Sequence, residues 1–228
     1  MVSAIIVAAG KGIRMKDSMR KQYSKISGRP ILSHTLLAVN GCDLIQRIIL
    51  VVPKDDFDFC HEKIIVPLKL CKQIELIAGG EERQDSVFNG LQALDDRESL
   101  VVIHDGVRPF VTAEQFTRCI EAAKDTGACI LAIPVLDTVK KEAGAGWIAK
   151  TLDRAGLWLA QTPQVFDSKI ITQAHNLARR EGFKGSDDSL LVERLGYKVQ
   201  IIRGTRSNIK ITTQEDLLIG EAIFKRSF

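Results

Sequence analysis

A few cations, glycines and one carboxylate stand at points of this chain where they could handle phosphate. Gly10-Lys11-Gly12-Ile13-Arg14 follows the apolar run 3–9, and Lys21 comes close behind. Glycines let a loop turn tightly and bring backbone N–H groups against an anion. Lys11, Arg14 and Lys21 would neutralise a polyphosphate on the same segment. The loop alone supports two readings: a triphosphate cradle, or a glycine-rich turn with surface cations. It lacks the third glycine of the dinucleotide fingerprint and the Gly-Lys-Ser/Thr ending of a Walker loop.

Further along, Gly79-Gly80 leads to Arg83 and Ser86, His104-Asp105 to Arg108, and Val135 to Asp137-Thr138; Arg154, Arg203 and Lys210 add charge. Arginine can grip phosphate through a bidentate fork, and lysine acts as a point charge. Asp105 is either a turn or capping residue or, facing a polyphosphate, a contact to Mg²⁺. No Ser-His-Asp or Cys-His arrangement is evident. Phosphoryl or nucleotidyl transfer by positioning and charge stabilisation remains.

The elements that must position these residues alternate. Strands are expected at 3–9, 47–53, 74–78, 100–103 and 129–135, the second a β-branched run of the kind buried on both faces. Helical patterns fill 31–39, 55–70, 87–94 (opened by 79–86), 168–180, 187–195 and 214–225, with a last strand at 198–203. Pro30 suits a first helical position, and Thr112 with Gln115 suits a capping box. This alternation predicts a Rossmann-like, mostly parallel twisted sheet with helices on both faces, as one domain over 1–228. Ligands of such sheets bind off the carboxyl ends of the strands, and that is where the residues named above fall. The rhythm breaks at about 136–160, where two strands around Gly144-Ala145-Gly146 read as a protruding β-arm. Such a ribbon is too small to fold alone, and a second subunit is the simplest partner.

Composition narrows the class. The 228 residues are 45% hydrophobic and 26% charged, with net charge +4. That is an ordinary globular balance, too mildly basic to argue for nucleic acid. Five irregularly spaced cysteines without a C-x-x-C pair read as free thiols. No signal segment and no run long enough to cross a bilayer is seen, so the expectation is a cytoplasmic protein without a membrane partner.

Ala8-Ala9-Gly10-x-Gly12-x-Arg14-Met15, Lys21-Gln22-Tyr23, Gly79-Gly80-x-x-Arg83-x-Asp85-Ser86, His104-Asp105-x-x-Arg108-Pro109-Phe110, Pro134-Val135-x-Asp137-Thr138-x-Lys140, Asp153-Arg154-x-Gly156-Leu157-Trp158, Gln161-Thr162-Pro163-Gln164 and Asn208-Ile209-Lys210 stand in this order. As a set they resemble the 2-C-methyl-D-erythritol 4-phosphate cytidylyltransferase family of the non-mevalonate isoprenoid pathway. The resemblance covers nearly the whole chain. It implies an Mg²⁺-dependent homodimer that joins CTP to methylerythritol phosphate and releases pyrophosphate. It implies that Arg14 and Lys21 stabilise charge on the α-phosphate. Ala8, Ala9, Gly10, Gly12, Gly80, Glu81 and Ser86 would contact cytidine and triphosphate. Asp105, Arg108, Thr138 and Thr162 would serve the substrate, Asp105 also the metal. Lys210 with Arg154 would aim the acceptor phosphate, with Thr138 and Arg154 reaching the partner subunit's site.

The chain departs from that family at Arg20, where proline is usual, at Gly106-Val107 in place of Ala-Ala, and at Ser207 before Asn208. A ribitol-5-phosphate cytidylyltransferase would share the nucleotide half, but Asp153-Arg154-x-Gly156-Leu157-Trp158 favours the methylerythritol enzyme. An NAD-dependent oxidoreductase predicts an acidic residue after the second strand, where Val52-Pro53-Lys54 stands. A catalytically silent nucleotide-binding module is the third reading.

Overall fold

The computed structural model describes residues 1–10 and 20–227. Gly12 and Arg14 therefore lie outside the described residues. Strand β1 (Val2–Val7) sits inside a seven-stranded sheet. After a 3₁₀ turn at Lys21–Tyr23 come the short strands β2 (Lys25–Ile26) and β3 (Arg29–Pro30), which pair with each other, and helix α1 (Ile31–Asn40). Pro30 thus caps the helix as the last residue of β3 instead of occupying its first turn. Strand β4 (Arg47–Val52) leads into an irregular helical stretch. It contains α2 (Phe57–Phe59), a π-helical turn at Cys60–Ile65, and α3 (Val66–Leu68). The helical stretch expected at 55–70 is thus found over 54–68, with the π-helical turn inside it just before Pro67, which has no N–H to donate.

Strand β5 (Gln73–Ala78), helix α4 (Arg83–Leu91), strand β6 (Leu100–Asp105), helix α5 (Ala113–Thr126) and strand β7 (Ala128–Pro134) follow in the expected alternation. Thr112 and Gln115 close the capping box at α5, each side chain bonded to the other's backbone N–H. The ribbon of β8 (Val139–Gly144) and β9 (Trp147–Leu152) projects next and, among the described residues, pairs only within itself. Strand β10 (Trp158–Asp167), helices α6 (Ser168–Glu181) and α7 (Asp188–Arg194), strand β11 (Gln200–Arg203) and helix α8 (Gln214–Ser227) complete the chain.

The sheet order is β11-β7-β10-β6-β1-β4-β5. Strand β10 runs antiparallel between β6 and β7, and the other pairings are parallel. The sequence reading missed β10. Its pattern is broken by Gln161-Thr162-Pro163, and its register with β7 shifts between Ala160 and Gln164. Proline cannot donate to a ladder, so the run reads as loop although its ends pair regularly. Trp158, Leu159 and Ala160 therefore belong to the central sheet, and the free ribbon ends before them.

Alternation along β1 sends Ala4 and Ile6 to one face and Ile5 to the other. Leu32 and Leu36 of α1 and Phe116 and Ile120 of α5 cover the first face. Val87 and Leu91 of α4, Ile171 of α6 and Leu191 of α7 cover the second. Each fully buried aliphatic side chain of this kind contributes about 1.5–3 kcal/mol, so the two cores hold the strand ends rigidly. No helix among the described residues is long and apolar enough to cross a membrane.

Candidate active site

A cavity of about 170 Å³ opens at the carboxyl ends of β1, β5 and β6. Its walls include Ala8, Ala9, Gly10, Lys21, Gly80, Glu81, Ser86, Asp105 and Lys210. Expected nucleotide-contact residues from two separate segments thus meet Lys21, Asp105 and Lys210 in one place. A wider groove of about 1040 Å³ between α4 and α6 lies at the other end of the sheet, beside Asp95 and Glu98. It holds none of the glycine loops.

Close approach of the backbones shapes the cavity. A Cβ on Gly79 would collide with Ala9, and one on Gly106 would sit 2.9 Å from the Ala8 side chain. Alanine at 106 would therefore push the β1 end and the β6 end apart, so glycine there suits the tight junction of this chain. The Gly80 N–H donates to Ser86 Oγ at 3.1 Å, and Ser86 donates onward to the Glu82 carbonyl at 3.1 Å. Ser86 thereby fixes the turn before α4.

Lys21 begins the 3₁₀ turn that enters the cavity, and the turn is anchored from behind. Arg20 Nε pairs with Asp56 Oδ2 at 2.9 Å, so the unusual Arg20 points to the helical stretch after β4 and not to the cavity. Tyr23 donates to the same carboxylate oxygen at 2.9 Å, and its hydroxyl lies 3.1 Å from Cys60 Sγ. Burial first, then these neighbours, push the Tyr23 phenol up, so it stays protonated as a donor.

Asp105, the last residue of β6, is the centre of the charge. Sequence reasoning treats it as an unpaired carboxylate; the structure corrects this. Arg83 Nε donates to Asp105 Oδ1 at 2.9 Å. Lys210 Nζ lies 2.8 Å from Oδ2, and Arg108 Nε 3.5 Å from the same oxygen. Burial alone would raise its pKa, but Arg83, Lys210 and Arg108 hold it well below the usual carboxylate range. Burial lowers the pKa of Arg108 against the pull of Asp105.

Lys210 reaches this point on a loop tied to β10 and β6. Asn208 Nδ2 donates to the Thr162 carbonyl at 2.9 Å, Arg108 Nη1 to the Asn208 carbonyl at 2.8 Å, and the Ile211 N–H to the Val107 carbonyl at 2.9 Å. Thr162 itself sits behind Asp105. Its hydroxyl accepts from the Asp105 N–H at 3.1 Å and contacts His104 Nδ1 at 2.9 Å. His104 Nε2 lies 3.3 Å from the Arg108 carbonyl, which can only accept, so Nε2 carries the proton and Nδ1 accepts from Thr162. Burial lowers the His104 pKa to about 3 and keeps the ring neutral.

Thr138 and Arg154 are exposed beside the ribbon and do not line the cavity. Arg154 Nη1 donates to the Leu136 carbonyl. Within one chain the structure gathers Lys21, Arg108 and Lys210 and leaves Arg154 outside. A metal held by the protein itself does not fit the residues present. Among the described residues no group of three or more His, Cys, Asp or Glu side chains could hold an ion. Both Asp105 oxygens already accept from cations.

Sequence reasoning quotes Arg83 within a motif but gives it no site role, and it misses Asp188. Arg83 Nη1 donates to Asp188 Oδ2 at 2.8 Å. The partners are 105 residues apart, and Asp187-Asp188 opening α7 reads locally as a helix cap.

A mostly parallel sheet whose carboxyl edge carries glycine turns and cations from several segments around one cavity defines a nucleotide-binding α/β protein of the nucleotidyltransferase class. Comparison with known proteins agrees. The family model "IspD: 2-C-methyl-D-erythritol 4-phosphate cytidylyltransferase" matches residues 2–226, and the chain belongs to this family. A protein of that name from Syntrophus aciditrophicus (strain SB) is 49% identical over 225 residues, covering 99% of this chain and 96% of its own. One from Caldanaerobacter subterraneus subsp. tengcongensis is 43% identical over 225 residues, covering 99% of each. A crystal structure of 4-diphosphocytidyl-2C-methyl-D-erythritol synthase from Anaerococcus prevotii DSM 20548 superposes with a TM-score of 0.88 at 38% identity. It spans 98% of this chain and 96% of that one.

Proposed function

We propose that the chain joins CTP and 2-C-methyl-D-erythritol 4-phosphate by direct attack of the acceptor phosphate on the CTP α-phosphorus, releasing pyrophosphate. Membership of the cytidylyltransferase family supports the reaction and favours it over ribitol 5-phosphate as acceptor. The observation that carries the mechanism is the gathering of Lys21, Arg83, Arg108 and Lys210, from four separate segments, around Asp105 and the glycine-lined cavity. A phosphate nucleophile is already an anion, so it needs no general base. The barrier lies in bringing two anions together, and fixed cations lower it.

In this reading Ala8, Ala9, Gly10, Gly12, Gly80, Glu81 and Ser86 hold cytidine and triphosphate. Arg14 and Lys21 take the charge that grows on the α-phosphate. Asp105 and Arg108 hold the acceptor side, with Thr162 fixing the Asp105 backbone. Lys210 takes the acceptor phosphate. Mg²⁺ would come as the counter-ion of the triphosphate and offset its charge, with Asp105 a nearby carboxylate.

Thr138 and Arg154 serve the site of a second copy, in a homodimer joined through the ribbon. The apolar side chains Trp147 and Ile148, 75% and 63% exposed on β9, support that partner. The protein works in the cytoplasm, on small anionic substrates.

Pyrophosphate release with CTP and each acceptor tests the assignment. Turnover should be fastest with methylerythritol phosphate. Preference for ribitol 5-phosphate would replace it, and no turnover with either acceptor would leave a silent binding module.

A further inference from the structure

A line of polar groups runs from behind the cavity wall to the site itself. It starts at His175 of α6, fully buried, whose Nε2 lies 3.1 Å from Asp188 Oδ1. A carboxylate only accepts, so His175 Nε2 donates. His175 Nδ1 has no hydrogen-bond partner among the described residues. The line continues from Asp188 Oδ2 to Arg83 Nη1 at 2.8 Å, from Arg83 Nε to Asp105 Oδ1 at 2.9 Å, and from Asp105 Oδ2 to Lys210 Nζ at 2.8 Å. Asp188 does not line the cavity.

The geometry of Arg83 gives Asp188 a task. A guanidinium prefers to grip one carboxylate with two parallel hydrogen bonds. Arg83 is instead stretched between two carboxylates and gives Asp105 one nitrogen, on one oxygen. The other oxygen is thereby left for Lys210 and Arg108. Without the charge at 188, Arg83 Nη1 would lose its ionic partner and keep at most a neutral acceptor there. The remaining carboxylate is Asp105, and a two-pronged grip there would compete with Lys210 for Oδ2.

We propose that Asp188, steadied by His175, is a positioning residue for the acceptor phosphate: it holds Arg83 away from the second Asp105 oxygen, so that Lys210 keeps its place. This rests on the reading that Lys210 receives the acceptor phosphate. The ionised state that the task needs is secured locally. Burial would raise the Asp188 pKa, but Arg83 and then His175 keep it below the ordinary carboxylate value.

The test is steady-state pyrophosphate release by the full chain, with CTP and methylerythritol phosphate, in wild type, Asp188→Asn, Lys210→Ala and the double variant. CTP affinity and Tm are measured alongside. Asp188→Asn should raise the acceptor KM by roughly 10-fold, the scale of one misplaced contact, and leave CTP affinity within about 2-fold. In the Lys210→Ala background the same substitution should add nothing to the acceptor KM. A folded Asp188→Asn protein with an unchanged acceptor KM overturns the proposal, as does an equal effect with and without Lys210. A normal acceptor KM in Lys210→Ala itself overturns both this proposal and the role given to Lys210. Should Asp188→Asn not fold, His175→Phe removes only the supporting hydrogen bond. It should move the acceptor KM in the same direction by less, and no movement there contradicts the account.

Discussion

The two ends of the central sheet each carry a buried ion cluster, and they differ in balance and in openness. At the amino end, Arg47 of β4 donates to Glu98 at 3.0 Å and to Glu75, while Ser3 Oγ donates to Glu98 at 3.0 Å. One cation there meets two carboxylates, and the Arg47 guanidinium also bonds the Ala93 carbonyl at 3.1 Å. Its donors are occupied from several sides. At the carboxyl end, Arg83, Arg108 and Lys210 surround Asp105 and Asp188, with Lys21 across the cavity. Three cations share the single carboxylate of Asp105 there, and Lys210 remains 36% exposed. The lesson is that burial and ion pairing do not mark a site by themselves. Several cations sharing one carboxylate beside a cavity do, because an incoming anion can draw on the same donors.

The contrast can be broken at either end. The largest loss of stability is expected at the closed cluster. Arg47→Met should cost about 3 kcal/mol in denaturant unfolding, since Glu98 would remain as an uncompensated buried charge; kcat should stay within about 2-fold. At the open cluster the effect should be kinetic. Lys21→Ala and Lys210→Ala should each lower kcat/KM by ~10²-fold or more, the scale for losing one preorganised donor, with smaller changes in Tm. Lys210→Ala should do so through the acceptor and spare CTP affinity. A loss of stability matching that of Arg47→Met would erase the distinction.

Arg154→Ala should also weaken acceptor use at unchanged CTP affinity, and mixing it with Lys210→Ala sharpens the picture of the arm. Hybrids should regain one working site in two if Arg154 acts across the interface. Lack of any regain places both residues in the same site.

The smallest effect belongs to the neutral His104 behind Asp105. An unfolded histidine takes up its proton near 6.5, and the folded ring only near 3. The unfolded chain therefore binds more protons between these values, and stability should fall as pH drops through that window. His104→Gln should flatten the acid slope of unfolding free energy between pH 6.5 and 4, whatever it costs at pH 7. An unchanged slope would show that the ring is not kept neutral.

Much of this was legible in the residues. Strands β1 and β4 declare themselves as β-branched runs because both faces are covered. The glycine turns after β1 and β5 stand where a parallel sheet puts its ligands, and Thr112 with Gln115 announces α5. What stayed hidden depends on partners distant in sequence. Nothing near Asp105 tells that Arg83 holds one of its oxygens, and nothing near Arg20 points to Asp56. Strand β10 escaped because its middle is polar and carries Pro163; its place is decided by two neighbouring strands that the local pattern does not record.

The most direct measurement is the acceptor kcat/KM of Lys210→Ala at saturating CTP, read beside its Tm and its CTP affinity. If the cations gathered around Asp105 receive the acceptor phosphate, the fall should be ~10²-fold or more with CTP binding intact. Wild-type acceptor kinetics in that variant would contradict this account.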